Sequence, residues 1–260
     1  MLRTALAVAA AALLAGPAPA AVVTKVVEYD HNGTKLKGFL AYDDALKGKL
    51  PGVLVVHEWW GLDDYARDRA KQLAALGYVA FACDMYGEGK TVNHPDDARK
   101  MATTVRENVK AWRGRAETGL KQLASQPNVD PAKLAAIGYC FGGSTCLQLA
   151  YAGADLKAVA TFHAALPAAT ADEAKAIKPK LYLAHGADDP FIPEKAVTAF
   201  KEPLDAAKVK YTFEAFPEVV HSFTVPGADK HMIKGMKYDK AADEKSWAAM
   251  LALFKDTLGK

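Results

Sequence analysis

The segment Gly138-Tyr139-Cys140-Phe141-Gly142-Gly143 sets a cysteine between two glycines, one two residues before it and one two residues after. The apolar run Leu134 to Ile137 precedes it, and a helical pattern from Gly142 to Tyr151 follows. A strand that turns sharply into a helix holds its central residue in a strained backbone conformation, and only small neighbours fit around it. The side chain then projects above the sheet beside a helix N-terminus, whose dipole favours a thiolate. Cys140 is therefore the expected nucleophile. Cys83, in an apolar strand, and Cys146, inside a helix, lack that setting and read as buried apolar residues.

A nucleophile at such an elbow needs an acid and then a histidine later in the chain. After the strand Leu181 to Ala184 comes His185-Gly186-Ala187-Asp188-Asp189-Pro190-Phe191-Ile192-Pro193. Two aspartates compete there. Asp189, directly before Pro-Phe-Ile-Pro, is the expected acid, and Asp188 is expected to form the turn by bonding nearby amides. His221, in Val220-His221-Ser222-Phe223 after the last expected strand, is the expected base. His31, His94 and His231 are expected to be solvated. His57, His163 and His185 end strands, where structural roles lining a cleft are expected.

A third strand end reads Val55-Val56-His57-Glu58-Trp59-Trp60-Gly61. A carboxylate directly after an apolar strand needs a partner. Glu58 is thus either part of the site or held by loop amides. In folds with this elbow, the loop after this strand also supplies an oxyanion N–H. The amides of Trp59 and Phe141 are expected to face the developing oxyanion.

The elements that must position these groups alternate. Strands are expected at 22–29 and 35–42, joined by a turn at Asn32-Gly33, and at 53–56, 78–83, 133–139, 157–162, 180–184 and 211–216. Helices are expected at 63–76, 142–151, 194–207 and 239–258, with a further helical stretch at 95–123 broken near Gly114. Strand alternating with helix implies an α/β fold, a mostly parallel sheet covered by helices on both faces. In such sheets chemistry belongs at the C-terminal ends of the strands, where all three motifs lie.

The composition fits an ordinary globular chain. Of 260 residues, 51% are hydrophobic and the net charge is +3, with no basic cluster to mark a nucleic-acid partner. Three cysteines are too few for a disulfide framework. No CxxC or HExxH spacing occurs, so no metal or organic cofactor is implied. The first residues form a targeting segment. Arg3 is the only charge before Lys25, Ala5 to Ala15 is apolar, and Ala18-Pro19-Ala20 supplies small residues at a cleavage site. The apolar run is shorter than the roughly 20 residues that span a bilayer. Residues 1–20 are expected to be a signal peptide rather than a retained anchor. Residues 21–260 would then be a single domain, periplasmic or secreted, with no stable membrane insertion.

These motifs together resemble the dienelactone hydrolase (carboxymethylenebutenolidase) family of the α/β-hydrolase superfamily. G-Y-C-F-G-G, D-P-F-I-P, H-S-F and H-E-W-W-G stand in that family's order, and the resemblance runs from about residue 24 to 258. It implies an α/β-hydrolase fold and a Cys–His–Asp triad of Cys140, His221 and Asp189. Glu58 matches the glutamate that interacts with the resting thiol and helps activate it. A monomer acting on a small-molecule ester or lactone through a thioacyl-enzyme is the expectation. A peptidase or acyltransferase on the same fold, or a thiol sensor, is the alternative. Two arginines that bind the substrate carboxylate in the best-known members are absent: Gly87, Glu88 and Gly89 follow Tyr86, and Thr224, Val225 and Pro226 follow Phe223. Neutral substrates are expected to be preferred, with Lys90 and Arg99 the cations that could reverse this.

The targeting segment gives a direct test. The exported protein should start at Ala21, and its intact mass should lack residues 1–20; a mass that retains them would establish the anchor.

Overall fold

The computed structural model describes residues 22–260, so the expected signal peptide lies outside the described residues. Eight strands form one sheet: β1 (Val22–His31), β2 (Thr34–Asp43), β3 (Leu50–Val56), β4 (Val79–Cys83), β5 (Val129–Tyr139), β6 (Ala158–Phe162), β7 (Lys180–Gly186) and β8 (Tyr211–Phe216). Their order across the sheet is β1-β2-β4-β3-β5-β6-β7-β8. The β1–β2 and β2–β4 pairs are antiparallel and every other pair is parallel. The direction of winding reverses around β3, which lies between β4 and β5. A crevice forms at such a reversal, outside the strand ends. The loops after β3 and β5, carrying Glu58 and Cys140, both open there.

Helices cover both faces, as this many fully apolar strands require. On one side α1 (Asp64–Ala75) and α7 (Lys240–Leu258) pack Ala66, Ala70, Leu73, Met250 and Phe254 against Val53, Val55, Ala135 and Ile137. On the other, α2 (Pro95–Arg106), α3 (Val109–Ala124), α4 (Phe141–Tyr151) and α6 (Glu194–Ala206) bury Val105, Trp112, Leu147 and Phe200 against Leu54, Val56, Phe81 and Ala136. The alternation of β3 between these two sets is its period-2 pleat. Among the described residues, no helix is long and apolar enough to cross a membrane.

The expected stretch 95–123 does break, but not at Gly114. The break falls at Glu107 and Asn108, where the Asn108 side chain accepts from the Ala111 amide at 3.0 Å and starts α3. Gly114 stays helical for another reason. A Cβ there would lie 2.6 Å from the His31 ring, so the glycine lets α3 approach the end of β1. His31 is accordingly not free in solvent; its Nδ1 lies 2.9 Å from Thr118 Oγ1. Two short elements were not expected: α5 (Ala171–Ala176) and a single-turn 3-10 helix, Ala228–His231. The α5 signal was in the sequence, because Thr170 and Glu173 form a capping box. β5 starts earlier than expected, at Val129, through a register shift against Pro51 and Gly52.

Candidate active site

Cys140 occupies the turn between β5 and α4 with φ 51° and ψ −111°, a conformation outside the ordinary regions for a residue with a side chain. The turn is held by the Cys140 amide, which donates to Phe162 O at 3.0 Å, and by the Ser144 amide, which donates to Cys140 O at 3.2 Å. The flanking glycines are steric necessities. A Cβ on Gly138 would lie 2.2 Å from Gly142 O, and one on Gly142 would lie 2.1 Å from Val56 O. The elbow therefore packs backbone to backbone against the end of β3. Cys140 remains half-buried, whereas Cys83 and Cys146 are buried, and burial pushes both of their thiols far up. Phe141 is the first residue of α4, whose amide has no partner within the helix.

The three strand ends converge. Asp189 is buried, and its Oδ2 accepts from His221 Nδ1 at 2.7 Å. Its other oxygen accepts from the Phe191 amide at 2.9 Å, so Asp189 itself makes the turn expected of Asp188, which is exposed. With Nδ1 committed to Asp189, Nε2 is left for Cys140. Burial disfavours the imidazolium of His221. Electrostatic interaction with Cys140 and the hydrogen bond to Asp189 outweigh it and hold His221 well above its ordinary range. Phe191 packs edge-on against the His221 ring at 5.3 Å while remaining exposed, a wall of the cleft that sequence reasoning missed.

Glu58 is fully buried, and its Oε1 accepts from Ser222 Oγ at 3.1 Å. That bond is to a side chain on the β8 loop, not to amides of its own loop. Burial pushes the carboxyl up to about 7; the His221 charge and the Ser222 bond oppose this, and nearby Asp63 adds to it. The loop is set by His57. Its Nε2 accepts from the Met85 amide at 3.2 Å, so Nδ1 carries the proton and donates to Glu58 O at 2.5 Å. Burial lowers the His57 pKa and keeps the ring neutral. Tyr86 donates to Trp59 O at 2.8 Å, fixing the next residue. His185, at the end of β7, is likewise lowered by burial and packs on Phe213.

The aromatic residues divide. Tyr139 and Phe141 turn into the core, Tyr139 stacking on Phe162 and Phe141 on Trp112, whereas Trp59 stays partly exposed at the cleft. Trp60 stacks on His231, at 4.2 Å between ring centres. Of the expected cations, Arg99 is exposed and lies 3.5 Å from Asp96, and Lys90 is exposed. Arg106, at the end of α2, sets its guanidinium 5.3 Å from the centre of the Phe141 ring. Only the α2 packing shows this; nothing local in the sequence distinguishes Arg106 from Arg99. Among the described residues no group of three or more His, Cys, Asp and Glu side chains is arranged to hold a metal.

The sequence profile of the dienelactone hydrolase family matches residues 36–258. The chain belongs to the dienelactone hydrolase family. It is a hydrolase of esters or lactones on the α/β-hydrolase fold. A solved structure named m3DLH is 38% identical, with a TM-score of 0.89 over 91% of this chain and 99% of its own. A dienelactone hydrolase-like promiscuous phosphotriesterase, P91, from metagenomic libraries is also 38% identical, with a TM-score of 0.88 over 91% and 98% of the two chains. The protein usf of Aquifex pyrophilus is 29% identical over 241 residues, 90% of this chain and 99% of its own.

The buried glutamate of this family member works against its stability. Glu58 holds its proton more tightly folded than unfolded, so its contribution is complete below the ordinary value of 4.5 and is lost as pH rises toward about 7. Glu58→Gln keeps an acceptor for Ser222 without the charge. The variant should match the parent near pH 4.5 and exceed it by about 2–3 kcal/mol above pH 7. Urea unfolding at both pH values measures it; equal stability at both would show that Glu58 is not held as a buried charge.

Proposed function

We propose that the exported, monomeric chain cleaves its ester or lactone through Cys140, with His221 and Asp189 completing a triad. The observation that carries this reading is the position of His221, bonded to Asp189 at 2.7 Å and interacting electrostatically with Cys140 at a strained elbow. Cys140 Sγ attacks the carbonyl carbon and forms a tetrahedral oxyanion. The amides of Phe141 and Trp59 stabilise it, each donor being worth about 3 kcal/mol. His221 gives its proton to the leaving alkoxide, and a thioacyl-enzyme remains. His221 then takes a proton from water, whose oxygen attacks the same carbon, and the thiolate is expelled and regains its proton through Glu58. Asp189 keeps the imidazole in the one tautomer that can do both. Glu58 accepts the thiol proton when substrate enters, which its displaced carboxyl makes feasible near neutral pH.

Cys140→Ala should abolish turnover of an aryl ester, with Cys83→Ala and Cys146→Ala unchanged per folded molecule. Cys140→Ser should be slower by about 100-fold or more, because a hydroxyl needs stronger base assistance than a thiol. Full activity in Cys140→Ala would overturn the triad.

Neutral substrates should be favoured. Glu58 and Asp189 place two carboxyls in the site, while the guanidinium of Arg106 is occupied by the Phe141 ring. A neutral methyl ester should exceed its free-acid analogue in kcat/KM by about tenfold at fixed ionic strength. Arg106→Gln should change that ratio by less than about twofold. A preference for the acid that Arg106→Gln removes would make Arg106 the carboxylate partner.

A further inference from the structure

His163 plays no part in the mechanism above, yet it touches the site. It follows β6, is fully buried and adopts φ 41°, a positive value that few residues with side chains hold. Its amide donates to Ala184 O at 2.8 Å, which fixes the ring between β6 and β7. One ring nitrogen, Nε2, lies 2.7 Å from Thr224 Oγ1. The other, Nδ1, has no hydrogen-bond partner and faces Glu58 Oε1 at 3.6 Å, just beyond bonding distance. A small turn of the Glu58 carboxyl away from Ser222 closes that gap.

The chain of polar atoms continues outward. Thr224 Oγ1 lies 2.6 Å from the Tyr65 hydroxyl, and Tyr65 accepts from Arg69 Nε at 3.2 Å. Arg69 is anchored by Thr224 O at 2.9 Å and Asp243 at 2.5 Å. Tyr65, Arg69 and Asp243 line a cavity of about 440 Å³ between α1, the loop before α7 and α7, with exposed Asp68 at its rim. Hydrogen-bonding groups thus connect Glu58, on the substrate side, to solvent on the α1 side.

We propose that the proton Glu58 takes from Cys140 leaves through His163, Thr224 and Tyr65 into this cavity, His163 exchanging its two neutral tautomers on each passage. The inference rests on the reading that Glu58 serves Cys140. The Glu58 O–H breaks as His163 Nδ1–H forms. Nε2–H passes to Thr224 Oγ1, whose own hydrogen passes to Tyr65 Oη, and the Tyr65 hydrogen passes to water. One proton enters and one leaves; after the acyl group has gone, the reverse transfers return a proton to Glu58 and on to the Cys140 thiolate, which restores the starting tautomer. His163 starts as the Nε2–H tautomer beside Glu58 acid and ends as the Nδ1–H tautomer donating to Glu58 carboxylate. No imidazolium forms, which suits a ring whose burial, together with the His221 and Arg69 charges, holds its pKa well below the ordinary value. His221 is held well above its ordinary range and keeps its own proton for the leaving alkoxide, so it does not take this one. The groups facing Glu58 are His163, His221, Ser222, Asp63 and Tyr65; those facing His163 are Glu58, His221, Arg69 and Tyr139.

The test is nitrogen NMR of the protein labelled at histidine, with His163→Gln assigning the His163 signals. As pH rises through about 7, the two His163 nitrogens should exchange protonated and bare shifts while the ring stays neutral, and Glu58→Gln should abolish the exchange. A single tautomer from about pH 5 to about pH 9, or an imidazolium, overturns the relay. Tyr65→Phe interrupts the exit and leaves the Glu58–Ser222 hydrogen bond in place. It should keep the tautomer exchange, lower kcat about tenfold and enlarge its solvent isotope effect. An unchanged kcat and isotope effect overturns the exit route. The NMR needs no turnover, so failure of the hydrolase reading shows separately, in Cys140→Ala.

Discussion

The approach of the β5–α4 turn to the end of β3 is the constraint on which the site depends. Gly142 lies so close to Val56 O that no side chain fits, and Gly138 lies equally close to Gly142 O. This contact forces Cys140 into a positive φ, a conformation that costs on the order of 1–3 kcal/mol. The strain aims the thiol out of the sheet, toward His221, and leaves the first amide of α4 free of the helix. It also brings the β3 loop beside the Cys140 turn, so Glu58 comes within the same crevice. Large apolar packing on both faces of β3 and β5 supplies the stability that holds the strain.

Two carboxyls in one site take different environments. Asp189 accepts from His221 and from the Phe191 amide. Glu58 has Ser222 as its one hydrogen-bond donor and lies where burial dominates. A well-solvated or well-bonded carboxyl stays ionised, and a buried one with few donors holds a proton to higher pH. This separation leaves Asp189 bonded to His221 and gives Glu58 the capacity to exchange a proton near neutrality. The cost is a native state that carries a poorly stabilised charge above pH 7, a common trade at active sites.

The histidines divide by the same physics. His57, His163 and His185 end adjacent or nearby strands, and burial lowers all three, so they act as neutral hydrogen-bonding groups. His221 has comparable burial, but its interactions with Cys140 and Asp189 reverse the direction. Position at a strand end therefore does not set His221 apart; its neighbours do.

Local pattern was enough to reveal the elbow, the strand order in the chain and the acid-then-histidine sequence, because turn glycines and apolar runs act over a few residues. The eight strands and the position of Cys140 follow from that. The choice of Asp189 over Asp188 was also legible, since the prolines after it mark the loop tip. The helix break was misplaced because Gly114 serves packing against His31, a contact between distant segments, whereas the side chain of Asn108 actually starts α3. Glu58 meets Ser222 across 164 positions, Tyr65 meets Thr224 across 159, and Arg106 meets Phe141 only through the docking of α2. Such pairings leave no periodic or local mark in the sequence. They are fixed when the sheet brings its strand ends together, and only the tertiary structure shows them.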